Sequence, residues 1–241
     1  MFGMSDPTLG TTQRHLQAWV RQSGQELFTP DGQIGFSADT FAAWLSYWDK
    51  LRKDQIIPPA DVEVQADNGG MATNMSVTGQ AAIVPASSNG LTQVQRLTQT
   101  PLAMFSVPEI ANGSKDWWFF PPILLSIAAN TTNPQLSVSL VDFFMNSVPA
   151  GNITRVDQGA PSSTAIRDAL VPTLQAPEAA FVQQISREMT YSARPLPVLP
   201  DGSGAVIQAQ TDASQKVAYG QLGISEAVDA FMTAAKKALN K

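Results

Sequence analysis

The sequence predicts an α/β fold, rich in helix, with short strands scattered between the helices. Three observations carry that expectation. Apolar residues recur at helical spacing through most of the chain, most clearly at Phe41, Trp44, Leu45, Trp48 and Leu51 and again at Val228, Phe231, Met232, Ala235 and Leu239. Short continuous apolar runs at 81–85, 103–107 and 124–129 have the length and character of strands buried on both faces. Turn and breaker residues separate these segments at short intervals, with no internal repeat and no low-complexity tract.

Phe2-Gly3-Met4 reads as the end of a strand, and Leu16, Trp19 and Val20 mark a short helix stopped near Gly24. Between 27 and 36, Pro30-Asp31-Gly32 is a tight-turn signal joining two extended runs, hence a hairpin. Ser37 then caps the helix of Phe41–Leu51, whose two tryptophans share its core-facing stripe. Residues 61–76 are polar and contain Gly69-Gly70, so they read as a loop with one weak helix around 72–78. Strand 81–85 follows, then a small polar loop to Gly90, a helix at Leu91, Val94 and Leu97, and strand 103–107 closed by Pro108.

The best-specified stretch is 116–147. The apolar run 124–129 is expected as a buried strand, the polar break 130–133 as a tight loop, and Pro134 as the first residue of a helix. Asn133 stands in the capping position, and Leu136, Leu140, Val141 and Phe144 follow at helical spacing. Beyond it, 149–161 reads as loop, and Ser162 or Ser163 caps a short helix to Leu170. Pro177 starts a helix carrying Phe181, Ile185 and Met189, and 194–204 is irregular. Val206, Ala209, Ala213 and Val217 fit a helix ended by Gly220 or Gly223, and Ser225 caps the last one, with Lys236 and Lys237 near its C-terminal end.

A formal charge of −5 spread over 241 residues argues against nucleic acid or an anionic membrane surface as the partner. The chain has no cysteine and one histidine, His15, which excludes disulfides, thiolate metal sites and a cysteine nucleophile. No phosphate-cradling glycine pattern or serine elbow is present, and no local spacing pairs carboxylates for acid–base work. Asn-x-Ser/Thr triplets begin at Asn74, Asn112, Asn130 and Asn152, a number expected by chance in so amide- and hydroxyl-rich a chain. No stretch approaches the roughly 20 apolar residues of a membrane helix, and the N-terminus lacks signal-peptide features, so the chain reads either as cytoplasmic or as derived from a longer parent.

What remains is the signature of a neutral ligand. Sugars are held by aromatic faces, with amides and hydroxyls around the rim. Trp117, Trp118, Asn89, Ser87, Ser88 and Thr12 are groups of the right kind in expected loops, and no cofactor or metal is called for. For the tryptophans, a core lid is as good a reading as a ligand platform. His15, on a helix, reads first as a surface or cleft-edge hydrogen bonder.

Five stretches in order resemble the carbohydrate-binding group of extracellular solute-binding proteins of ABC transporters, the maltodextrin-binding-protein type. They are TPDGQIGFSADTFAAWLSYWDKLRKDQIIPP, VTGQAAIVPASSNG, LLSIAANTTNPQLSVSLVDFFMNS, DQGAPSSTAIRDAL and YGQLGISEAVDAFMTAAKKALNK. The resemblance implies a periplasmic-binding-protein-like (type II) α/β architecture and a periplasmic or extracellular, non-enzymatic protein. Such a protein binds sugar between two closing lobes and docks on a membrane permease. By position it implies ligand contacts from Asn89, from Trp117 and Trp118 before the crossing strand, and from Thr11, Thr12 and His15 at the start of the first helix, with the loop 159–162 near the lobe boundary. The first part of an N-terminal lobe has no counterpart. The expected layout is therefore a second-lobe region at 1–101, a segment crossing into the first lobe at 102–148, and a helical remainder of the second lobe at 149–241. Two other readings stand beside it. One is a fragment without its own ligand site that associates with a missing lobe or with itself. The other is a small hydrolase, which would need two carboxyl groups roughly 5 to 9 Å apart.

Overall fold

The computed structural model describes residues 1–9, 13–109, 124–188 and 198–239. Those residues fall into two compact units. The first is formed by the described residues of 1–85, 107–118 and 191–241, the second by those of 86–106 and 119–190.

The first unit is built on two long amphipathic helices and a two-stranded sheet. β1 (Phe2–Met4) and β2 (Ala81–Ile83) pair in parallel, Phe2 opposite Ala81 and Met4 opposite Ile83. The Phe2 N–H donates to the Gln80 carbonyl and the Ser5 N–H to that of Ile83. α1 (Gln13–Gln22) follows β1 and buries Leu16 and Val20. The Pro30-Asp31-Gly32 turn closes a hairpin with one antiparallel bridge, Phe28 to Ile34. α2 (Ala38–Lys53) begins where the sequence places it: the Ser37 hydroxyl accepts from the Thr40 N–H at 3.1 Å. Its stripe of Phe41, Trp44, Leu45 and Trp48 is buried as expected. Phe41 and Phe36 meet Phe231 of α11 (Ile224–Leu239), with ring centroids 4.4 and 5.9 Å apart, and α10 (Ser203–Ala218) completes the core with Val206, Ala213 and Val217. Gly223 rather than Ser225 precedes the first turn of α11, and its N–H donates to Glu226.

Residues 61–68, expected as loop, lie in α3 (Ala60–Asn68). The polar sequence hides a buried edge of Ala60, Glu63 and Ala66, and two acids, Asp61 and Glu63, suit the first turn. The expected weak helix is a 3₁₀ turn, Met71–Thr73, followed by α4 (Met75–Thr78). β2 is a strand as expected, but only Ala81 is buried; Ala82 and Ile83 are exposed.

The second unit comprises α5 (Gly90–Gln95), α6 (Pro134–Asn146), α7 (Val148–Thr154), α8 (Thr164–Leu170) and α9 (Ala176–Glu188), and its small apolar cluster joins Val156, just past α7, to Phe181 and Val182 of α9. Pro134 is the first residue of α6, and Asn133 holds the cap position without bonding the helix through its side chain. α7 replaces part of the expected loop at 149–161. It lies against α8 so closely that a Cβ on Gly151 would stand 2.3 Å from Ile166 Cγ2.

Two expected strands do not form. Residues 103–107 and 124–128 are irregular and largely exposed. An apolar run becomes a strand only where a neighbour takes its N–H and C=O groups, and among the described residues neither run has one. The apolar side of α6 is likewise open, with Leu136 at 71% and Leu140 at 59% exposure.

Candidate functional site

In open parallel α/β sheets, ligands bind outside the carboxyl ends of the strands. At that edge of β1 and β2 the first unit holds a cavity of about 290 Å³. Ser5, Asp6 and Pro7 reach it from the end of β1, Val84 and Pro85 from the end of β2, His15 from α1, and Glu63 and Asp67 from α3, with Asn74 beside α4. Glu63 and Asp67 are one helical turn apart, so α3 presents both to the same space. A larger cavity of about 840 Å³, bordered by Phe2, Lys53 and Tyr219, lies at the amino end of β1. Strand polarity favours the smaller one.

Its polar groups are held by a short network. The Asp6 N–H donates to Glu63 Oε2 at 2.7 Å, and Asp6 Oδ1 accepts from the Thr8 N–H at 2.8 Å and the Thr8 hydroxyl at 2.6 Å. Arg52 of α2 donates to Asp6 Oδ2 behind the cavity. The side chain of Asp6 is fully buried, so this ion pair neutralises a charge that could not stand alone there. Asn74 Oδ1 accepts from the Ser76 N–H and hydroxyl, which fixes the amide plane. His15 Nδ1 is buried without a hydrogen-bond partner among the described residues.

Burial pushes the Glu63 carboxyl up to about 7; the Asp67 and Asp6 carboxylates add to the rise, against the Asp6 N–H and the Arg52 charge. Asp67 is raised too, by burial and then by Asp6. Burial, helped by the adjacent Arg14, lowers His15 to about 4, so its imidazole is neutral at pH 7 and offers a lone pair. The cavity therefore combines a neutral imidazole, a carboxyl poised between protonation states and a fixed amide. These groups can exchange hydrogen bonds with a polyhydroxylated ligand. No group of three or more acidic or histidine side chains among the described residues is placed to hold a metal ion.

Of the residues expected at a site, His15 lines this cavity. Ser88 and Asn89 stand half-buried at the start of α5, in the other unit. Thr11, Thr12, Trp117 and Trp118 lie outside the described residues. Glu63, Asp67 and Asn74 are not legible in the sequence because 61–76 reads as a loop, and Asp6, just past β1, stands in no local pattern that marks it. Placed on a helix, the i, i+4 pair Glu63 and Asp67 is the local signal that could have pointed to them.

The chain has the α/β fold of periplasmic binding proteins, and its structural neighbours include extracellular solute-binding proteins of family 1 and periplasmic sugar-binding proteins. No protein-family profile matches it. It superposes over its full length on the extracellular solute-binding protein family 1 from Alicyclobacillus acidocaldarius, with a TM-score of 0.79 and 25% identity, covering 60% of that chain. Against a periplasmic oligogalacturonide-binding protein from Yersinia enterocolitica in complex with saturated digalacturonic acid, the TM-score is 0.79 at 18% identity, over 99% of this chain and 61% of that one. Against the maltose/maltodextrin-binding domain MalE from Bdellovibrio bacteriovorus bound to maltotriose, it is 0.67 at 18% identity, over 100% and 60%. The chain thus spans about three fifths of the length of these proteins.

Proposed function

We propose that this chain binds a carbohydrate without transforming it and serves an ABC importer, handing the sugar to the membrane permease from the periplasmic or extracellular side. The observation that carries the reading is the cavity at the carboxyl ends of β1 and β2, lined by His15, Glu63, Asp67 and Asn74, in a fold shared with sugar-binding proteins. Fixed hydrogen-bonding groups suit sugar hydroxyls: a matched ligand satisfies them, whereas the wrong stereoisomer leaves buried groups unpaired. Ser88, Asn89, Thr12, Trp117 and Trp118 are proposed as further contacts, with 102–148 as the segment that crosses to a first lobe.

Titration of the purified chain with mono- and oligosaccharides, read by tryptophan fluorescence, tests this reading. A saturable response to at least one sugar is expected, weakened roughly tenfold or more by His15→Ala or Asn74→Ala, as for loss of one or two good hydrogen bonds. A flat response from a folded chain, or turnover of a glycoside, overturns it.

The open apolar side of α6 favours a second reading, in which this face packs against the other lobe that the family resemblance implies and binding is completed only there. Its check is the hydrogen-exchange protection of α6.

A further inference from the structure

The groups around the cavity carry a pronounced charge bias. Asp6, Glu63 and Asp67 line it, and among the described residues no lysine or arginine does. The cation behind it, Arg52, is already engaged by Asp6, with Asp49 nearby. His15 is uncharged at neutral pH, and Arg14, which adds to that effect, is exposed on the surface of α1. Glu63 is only 3% exposed. Its Oε2 takes the Asp6 N–H, while Oε1 has no partner among the described residues. With the unpartnered His15 Nδ1, the cavity holds two polar atoms unused by the described residues, in a net-negative space that opens to solvent at the exposed Asp67.

Consider three sugars that differ at one carbon. A hydroxyl can exchange a hydrogen bond with either atom. A carboxylate brings a negative charge beside Glu63 and Asp67, where no lysine or arginine among the described residues lines the cavity to meet it, and like charges in one site repel. An ammonium brings donors and the opposite charge to the same place. Discrimination of this kind works as much by repelling the wrong ligand as by attracting the right one.

We propose that this cavity selects its sugar unit by charge, preferring an amine-bearing unit over a neutral one and rejecting a uronic acid. The proposal rests on the carbohydrate-binding reading above and names the substrate class of that site.

The test is isothermal titration of the full chain at pH 7 and low salt with 6-amino-6-deoxyglucose, glucose and glucuronic acid, which differ at carbon 6 alone, and with the matching short oligomers. The expected order is amine, then neutral, then uronate, with steps of about tenfold, converging as salt is raised because screening weakens the charge terms. Asp67→Asn is expected to shrink the amine-to-uronate ratio at least threefold. Glu63→Gln, which keeps the buried shape and an acceptor, provides the same readout should the first variant fail to fold. Uronate binding as tight as or tighter than neutral sugar overturns the charge proposal and leaves carbohydrate binding standing. So does an amine-to-uronate ratio that neither variant moves. Absence of binding by every sugar overturns both.

Discussion

At the scale of single residues, His15 and Glu63 make the pH response of the first unit a balance of two opposed terms. His15 binds its proton less readily folded, at about 4 against 6.5 in the unfolded chain. Its contribution to stability is present above pH 6.5 and lost as pH falls toward 4. Glu63 binds its proton more readily folded, at about 7 against 4.5. Its contribution is present below pH 4.5 and lost as pH rises through 7. Between about pH 4.5 and 6.5 the two slopes have opposite sign, so wild-type stability should vary little there on their account. Glu63→Gln leaves the histidine alone, and its stability should rise with pH across that window. His15→Asn leaves the carboxyl, and its stability should fall. Urea denaturation of the three proteins at a series of pH values checks this. Parallel curves would show that these groups do not differ between the folded and unfolded chain. The same two residues show why the site was only half legible. His15 stands out as the one histidine of the chain, but the acids that share its cavity, Glu63 and Asp67, sit about fifty positions later, on α3. Only the parallel pairing of β1 with β2 brings α1, α3 and α4 to one edge, and no local spacing records that.

At the scale of elements, what could be read from sequence depended on whether an element meets its partner through its own periodic stripe. α2 and α11 bury ridges of Phe, Trp and Val at helical spacing, so their sequences state both the element and its inner face. α3 buries only two alanines and an acid, Ala60, Glu63 and Ala66, and α7 only the small Ala150 and Gly151, leaving no apolar rhythm to read. The runs at 103–107 and 124–129 failed in the opposite sense, because an apolar run reports burial potential but not the presence of a pairing strand. The contact of α10 with α11 yields a quantitative expectation. Gly202, at φ +86, leads into α10, and a Cβ there would lie 2.3 Å from the carbonyl oxygen of Ala238 in α11. Gly220, at φ +66 just past the end of α10, has open space at the same position. Gly220→Ala should therefore cost about 1 kcal/mol from the left-handed backbone alone. Gly202→Ala carries that strain plus the displacement of a backbone carbonyl, and should cost about 2–3 kcal/mol. Equal losses for the two variants in denaturant titrations would mean that the α10–α11 junction yields without resistance.

At the scale of the whole molecule, the two units are unequally provided with core. The first gathers aromatic and aliphatic side chains from α1, α2, α10 and α11 into one continuous cluster, whereas the second closes on Val156, Phe181 and Val182 with a few half-buried neighbours. Hydrophobic burial is the dominant favourable term in folding and scales with apolar area removed from water, so local opening should follow this asymmetry rather than helix length. α6, at 13 residues, is nearly as long as α2 at 16, yet α6 contains no buried residue while α2 buries Thr40, Phe41, Trp44, Leu45 and Trp48. Native-state hydrogen exchange should find the amides of α6 opening at a small fraction of the free energy required in α2 and α11. Because an exposed apolar stripe is also a surface for association, the measurement has a second dimension, protein concentration. If α6 is bare in solution, its fast exchange is independent of concentration. Protection that grows on dilution series run toward higher concentration, with α2 unchanged, would show that a second copy covers the stripe and would displace the reading in which another lobe packs there. Protection equal to that of α2 at every concentration would refute the expectation outright, since nothing in the described packing of α6 could supply it.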